Sequence, residues 1–179
     1  IDVLRATTTI ACALNNGAEA VKFFSDISKL KEDSRHWPDS STLLLGERGG
    51  KTLPGFHLGN SPVLVTPEIV KDKRIFMSTT NGTKSFSRLK ESQNLYAMSL
   101  INREAVADHI LKDDPDELII LGSGWEGSYS MEDSLAAGSL ASFLIANKNK
   151  CLIANDELYA ALALWNQWQN NLEGCLRIT

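Results

Sequence analysis

Four short stretches hold most of the reactive side chains in this 179-residue chain. Residues 1–9 read I-D-V-L-R-A-T-T-T. Residues 46–50 read G-E-R-G-G, 78–83 read S-T-T-N-G-T, and 122–133 read G-S-G-W-E-G-S-Y-S-M-E-D. The first contains a short apolar, β-rich run, and each of the others follows one. Hydroxyls and backbone N–H groups at a helix start, with the helix dipole behind them, make an anion site. Thr7–Thr9 and Thr79–Thr83 fall at such strand-to-helix junctions. Arg5 and Arg48 add planar guanidinium forks suited to phosphate, sulfonate or carboxylate. Two arginines imply a ligand with more than one anionic group. Asp2, Glu47, Glu132 and Asp133 would repel such a ligand. A hard divalent cation such as Mg²⁺, held by a few carboxylates and bridging to phosphate oxygens, resolves the conflict.

Taken singly, each stretch has a plainer reading. Thr7–Thr9 and Asn81–Gly82 read as helix caps and a turn. Asp2 pairs with Arg5 as a structural ion pair, and Glu132 and Asp133 are first-turn acids that favour the helix dipole. Four such loops at equivalent strand ends outweigh that reading, because ligands of open parallel sheets bind beyond the carboxyl ends of the strands.

The elements that position these loops follow from the apolar pattern. Strands are expected at Ile1–Val3, Ala20–Phe24, Thr42–Leu45, Arg74–Met77, Leu95–Ala97 and Leu118–Leu121. Arg74–Met77 and Leu118–Leu121 are nearly continuous apolar runs, as in strands covered on both faces. Helices are expected at Thr8–Asn15, Ile27–Asp33, Thr83–Lys90, Arg103–Leu111 and Met131–Ala146. A further helix over Asp156–Asn170, capped by Asp156, would bury Leu158, Leu162, Trp165 and Trp168. The alternation predicts an α/β fold, three layers α/β/α around a mainly parallel or mixed sheet. Gly46–Pro67 breaks the rhythm and reads as a long active-site loop in one domain spanning residues 1–179.

Composition narrows the classes. At 43% hydrophobic and 22% charged residues, the chain has apolar mass for a core. A net charge of -4 argues against a nucleic-acid partner. No apolar run approaches the ~20 residues of a membrane span. Three scattered cysteines, Cys12, Cys151 and Cys175, form neither a disulfide framework nor a metal knuckle and point to a reducing cytoplasm. Cys12 and the tryptophans Trp165 and Trp168 read as core, His109 as surface, His57 as a weak ligand contact, and Trp125 as a wall of the site.

Familiar motifs fail on detail. G46-E-R-G-G-K-T52 has three residues between its glycines where a P-loop needs four, and no helix pattern follows. G122-S-G-W-E-G127 matches a dinucleotide fingerprint in letters, but its helix starts too late and no downstream acid follows. There is no G-x-S-x-G elbow and no cysteine followed six positions later by arginine.

The ordered run of motifs resembles the 2-phosphosulfolactate phosphatases of coenzyme M biosynthesis. The resemblance rests on I-D-V-L-R-A-T-T-T at 1–9, L-G-E-R-G-G-K at 45–51, P-G-F-H-L-G-N-S-P at 54–62, T-T-N-G-T at 79–83, N-R-E-A-V-A at 102–107 and S-M-E-D-S-L-A-A-G at 130–138. It covers roughly residues 1–150 and implies an α/β/α fold, Mg²⁺ dependence, and hydrolysis of 2-phosphosulfolactate to 3-sulfolactate and phosphate. The family domain carries residues before and after this chain, so trimming at both ends is expected. In the expected site, Asp2 and Glu47, with Glu132 or Asp133 or both, hold the metal. Arg5, Thr7 and Thr8 bind phosphate or sulfonate. Arg48, Asn60, Ser61, Thr80, Asn81, Gly82 and Thr83 complete the cradle. Asp2, Arg5, Glu47 and Arg48 are the catalytic candidates. Attack by water and by an aspartate both fit. The partner is a small anionic phosphorylated substrate, and a homo-oligomer fits as well. A non-catalytic sensor of a phosphorylated or sulfonated acid is the alternative.

Overall fold

The computed structural model describes residues 1–82, 85, 86, 89, 92, 94–148 and 151–179. It divides into two compact units, Arg5–Leu95 and Ile1–Leu4 with Tyr96–Thr179. The fold class is α/β, with a mixed, mostly parallel sheet.

The first unit, Arg5–Leu95, contains helices α1 (Ala6–Asn15), α2 (Ile27–Ser34) and α3 (Pro67–Val70). Its strands are β1 (Ala20–Phe23), β2 (Thr42–Arg48), β3 (Lys51–Thr52) and β4 (Arg74–Ser78). The sheet order is β1-β4-β2-β3. β4 pairs in parallel with both β1 and β2, and β3 is antiparallel to β2. The apolar run of β4 is buried from Ile75 to Ser78, as expected of a strand covered on both faces. Ile10, Leu30, Leu43, Leu45, Val65 and Val70 extend this unit's buried apolar set.

β2 is longer than its apolar run. Gly46 pairs with Ser78, and Glu47 and Arg48 pair with Thr52 and Lys51. Gly46, Glu47 and Arg48 therefore belong to the strand, and the long loop starts after them. The two-residue turn between β2 and β3, Gly49–Gly50, has both φ angles positive at 55° and 76°. That is the geometry of a type I′ hairpin, which suits the strand twist and favours glycine at both positions. Loop 53–58 folds back against β2. Leu58 bridges Leu45, and the His57 ring accepts a hydrogen bond from Leu44 N–H at 2.8 Å. His57 thus carries a structural bond.

The second unit contains α4 (Arg103–Asp113), α5 (Met131–Asn147), α6 (Asp156–Trp168) and α7 (Leu172–Leu176). Val3, Met98, Val106, Ala107, Ile110, Ala136, Leu140 and Leu144 form one cluster of its core. Leu135, Trp165 and Cys175 form another, with Trp168 packed against it. Leu158 and Leu162 are half-buried on the expected face of α6.

Three expected strands are not strands here. Ile1 and the 121–123 segment exchange two backbone hydrogen bonds, each 2.8 Å, in the manner of one parallel rung, and neither segment is a strand. Val3 N–H bonds to the Asp133 side chain instead of a neighbouring strand. Near 95–97, Asn102 takes the backbone groups of Ala97 and Ser99 into a helix cap. Leu118–Leu121 is not covered on both faces, since Ile119 is 73% exposed. Other boundaries shift as well. α1 begins at Ala6, so Thr7–Thr9 lie within its first turn. The α6 cap is Asn155, whose Oδ1 accepts from Leu158 N–H at 3.1 Å, leaving Asp156 as a first-turn acid. The helix expected at Thr83–Lys90 falls mostly outside the described residues. Among the described residues, no helix is long and apolar enough to cross a membrane.

α5 and α6 cross closely at Gly138, where an added Cβ would overlap the Ala161 carbonyl. Neither helix backbone can yield without disturbing Leu135 and Trp165. Gly138→Ala is expected to cost about 3 kcal/mol or more, at the upper end of overpacking effects. Urea unfolding followed by tryptophan fluorescence measures it.

Candidate active site

The carboxyl ends of β2 and β4 lie side by side because the strands are parallel neighbours in register Gly46↔Ser78. The residues just beyond that rung interlock. Glu47 is 7% exposed. Its Oε1 accepts from Thr80 N–H at 2.8 Å and from the Thr80 hydroxyl at 2.9 Å. Its Oε2 accepts from Gly50 N–H at 2.9 Å. Burial pushes the Glu47 carboxyl up, but the bonds from Thr80 and Gly50 and the Arg48 charge outweigh that and leave it below the usual carboxylate range. It is ionised at neutral pH.

Arg48 ties the same two strand ends. Its Nη1 donates to Glu47 O at 2.7 Å and its Nη2 to Ser78 Oγ at 2.8 Å. Ser78 and Thr79 are both buried. Glu47, Arg48 and Thr80 are therefore brought together as the sequence predicts. Ser78 and the Gly50 N–H, inside the expected stretches but given no role there, join them. A hydroxyl closing the otherwise apolar run R-I-F-M-S was the available signal for Ser78.

Other expected residues of this unit are placed individually. Arg5 holds the cap position of α1 without a side-chain cap bond, and Thr7 and Thr8 lie in the first turn. Beside them, Thr9 Oγ1 is buried with no hydrogen-bond partner among the described residues. Asn60 is 6% exposed, and its Oδ1 is likewise buried without a partner among the described residues. An unsatisfied buried acceptor of this kind costs about 1–3 kcal/mol. Ser61 and Asn81 are half-buried and Gly82 is buried. Thr83 lies outside the described residues.

The second unit holds the remaining acids. Asp133 is 4% exposed in the first turn of α5. Its Oδ1 accepts from Val3 N–H at 2.8 Å and its Oδ2 from Gly124 N–H at 3.1 Å. Burial raises its carboxyl, and the nearby Asp2 charge adds to this against the two N–H bonds, to a pKa of about 6. Asp2 is also buried, at 7% exposure. Glu132, half-buried, works on a different neighbour. Burial and the Glu132 charge together raise the Cys175 thiol. Trp125 is 59% exposed in a tight turn closed by paired bonds with Ser128.

Among the described residues, no group of three or more histidine, cysteine or acidic side chains gathers as a metal cage. Mg²⁺ does not require one, because it keeps several waters and takes one or two carboxylates. The two buried carboxylates of Asp2 and Asp133 fit that donor set.

Comparison with known proteins gives a consistent answer. The family model described as 2-phosphosulpholactate phosphatase matches residues 1–179. A protein of Prochlorococcus marinus named "Probable 2-phosphosulfolactate phosphatase" is 65% identical over 178 residues, covering 99% of this chain and 73% of that protein. A protein of the same name from another strain of that species, MIT 9313, is 61% identical, with the same coverage. Another from Synechococcus sp. (strain WH7803) is 58% identical, covering 99% of this chain and 72% of that protein.

The raised Asp133 pKa has a definite pH signature. Between about pH 4 and pH 6 the folded state keeps a proton that the unfolded chain releases, so stability falls as pH rises through that window. The effect is on the order of 2–3 kcal/mol. In EDTA, Asp133→Asn is expected to remove this slope relative to the unsubstituted chain, as read from thermal midpoints at successive pH values.

Proposed function

The chain belongs to the 2-phosphosulpholactate phosphatase family, and from that premise we propose that it is a Mg²⁺-dependent phosphoric monoester hydrolase. Its proposed substrate is 2-phosphosulfolactate or a closely related phosphorylated hydroxy acid. Water cleaves the ester to give the free hydroxyl, here 3-sulfolactate, and inorganic phosphate. The observation that carries this reading is the interlocked edge of β2 and β4, where an anchored guanidinium meets a hydroxyl-rich loop.

The proposed roles follow the chemistry of each group. Arg48, held by Glu47 O and Ser78 Oγ, supplies a fixed positive charge for a phosphoryl or sulfonate oxygen. The loop of Thr80, Asn81 and Gly82, with Thr83 following in the sequence, supplies donors to the same anion. Arg5, Thr7 and Thr8 offer a second anion position, backed by the dipole of α1. A substrate with phosphate, carboxylate and sulfonate groups suits two such positions. Asn60 and Ser61 add polar contacts, and the unsatisfied Asn60 oxygen gives a bound ligand or water something to bond. Asp2 and Asp133 are the acids proposed to hold Mg²⁺, with Glu132 beside them in sequence. When bound, the ion neutralises charge on the phosphoryl oxygens and acidifies water. The free cysteines suit a reducing cytoplasm.

Phosphate release from a panel of phosphorylated hydroxy acids tests the reading. It is expected to be highest with 2-phosphosulfolactate, to need Mg²⁺, and to stop in EDTA. Binding of the panel without any phosphate release would make the protein a sensor instead.

Asn60→Leu separates stability from function. Removing the buried, unpartnered Oδ1 is expected to lose no stability and to gain about 1 kcal/mol. The same change is expected to raise KM about tenfold, the equivalent of one lost hydrogen bond of ~1.4 kcal/mol. Thermal denaturation and steady-state kinetics on one preparation check both halves.

A further inference from the structure

Glu47 stands among the expected metal ligands, yet its bonds describe other work. Among the described residues, the donors it engages come from two backbone segments of its own unit, the Gly49–Gly50 turn and the loop after β4. A carboxylate offers roughly four lone-pair positions. Thr80 N–H, the Thr80 hydroxyl and Gly50 N–H take up three of them. A hard cation would have to displace those donors or face their positive ends. The bonding is also specific to an ion that stays ionised. Thr80 is held at both its backbone and its side chain, which fixes where the loop turns after Ser78. Arg48, the next residue, pins the same loop one strand position earlier. Two adjacent residues of β2 thus clamp both sides of Thr79.

We propose that Glu47 is a positioning residue: its carboxylate sets the Thr80 loop and the Gly50 turn of the anion cradle and stays outside the metal's ligand shell. The inference rests on the function proposed above and changes one assignment within it. Glu47 acts through Thr80, and substrate meets Thr80 and Arg48.

Glu47→Gln in the full chain tests this, because the amide puts N–H groups where one donor needs an acceptor. Without ligands, amide hydrogen exchange at Thr80 or Gly50 is expected to rise more than threefold. The Mg²⁺ concentration for half-maximal activity is expected to move less than threefold. Thr80→Val should lower kcat/KM comparably, Thr80→Ser should restore it, and the Glu47→Gln/Thr80→Val double variant should lose no more than the worse single. A Mg²⁺ requirement raised more than threefold, exchange unchanged at both amides, or additive losses in the double variant would each overturn the proposal. If the unsubstituted chain releases no phosphate, the functional reading fails by itself, and exchange at the two amides still decides the role of Glu47.

Discussion

The parallel rung between Gly46 and Ser78 is the constraint on which the candidate site depends. It aligns the ends of β2 and β4, so that the next residues of each strand must meet. Burial enforces the register. Ile75, Phe76 and Met77 are each 2% exposed or less, and each such side chain contributes about 1.5–3 kcal/mol when buried. These side chains fill both faces of β4, and a one-residue slip would move each into space packed for a different one. With the slip forbidden, Glu47 finds Thr80 and Arg48 finds Ser78. The core of the sheet thereby sets the geometry of a polar edge that contributes little to the core itself.

Several polar groups in the protein are held at a cost in stability. Asp133 is buried near Asp2 with a pKa of about 6. The Asn60 oxygen and the Thr9 hydroxyl are buried without partners among the described residues. Folding alone would favour replacing all three. Such conflicts between local stability and sequence collect where a protein binds or reacts. Glu47 is a further buried acid, whose carboxylate accepts from Thr80 and from Gly50 N–H and so shapes the loop and turn beside it.

The sequence pattern revealed the part of the fold driven by buried apolar runs. β2 and β4 were legible, as were α2, α4 and α5, because periodicity reports burial directly; β1, exposed to half-buried, was legible from its β-rich residues. The same rule misled at Leu118–Leu121, where an apolar run is largely exposed. It also misled at residues 1–3 and 95–97, where side chains of Asp133 and Asn102 take the backbone groups a strand would use. The site was legible as residue types and not as bonds. Glu47, Arg48 and Thr80 could be named from loops after strands. That Glu47 binds backbone N–H groups, that Ser78 anchors Arg48, and that β2 continues through Arg48 depend on strand register, which no single segment encodes. His57 shows the limit again, since no local pattern foretold that its Nδ1 accepts from Leu44 N–H.

A crystal structure of the full chain with Mg²⁺ and orthovanadate would show where the phosphoryl group binds. Vanadate mimics the phosphoryl group in transfer. Vanadate is expected at the carboxyl edge of β2 and β4, within hydrogen-bond distance of Arg48 and the Thr80–Gly82 loop, with Glu47 still bonded to Thr80 and Gly50. Vanadate bound by other residues, with that edge empty, would contradict the proposed anion cradle.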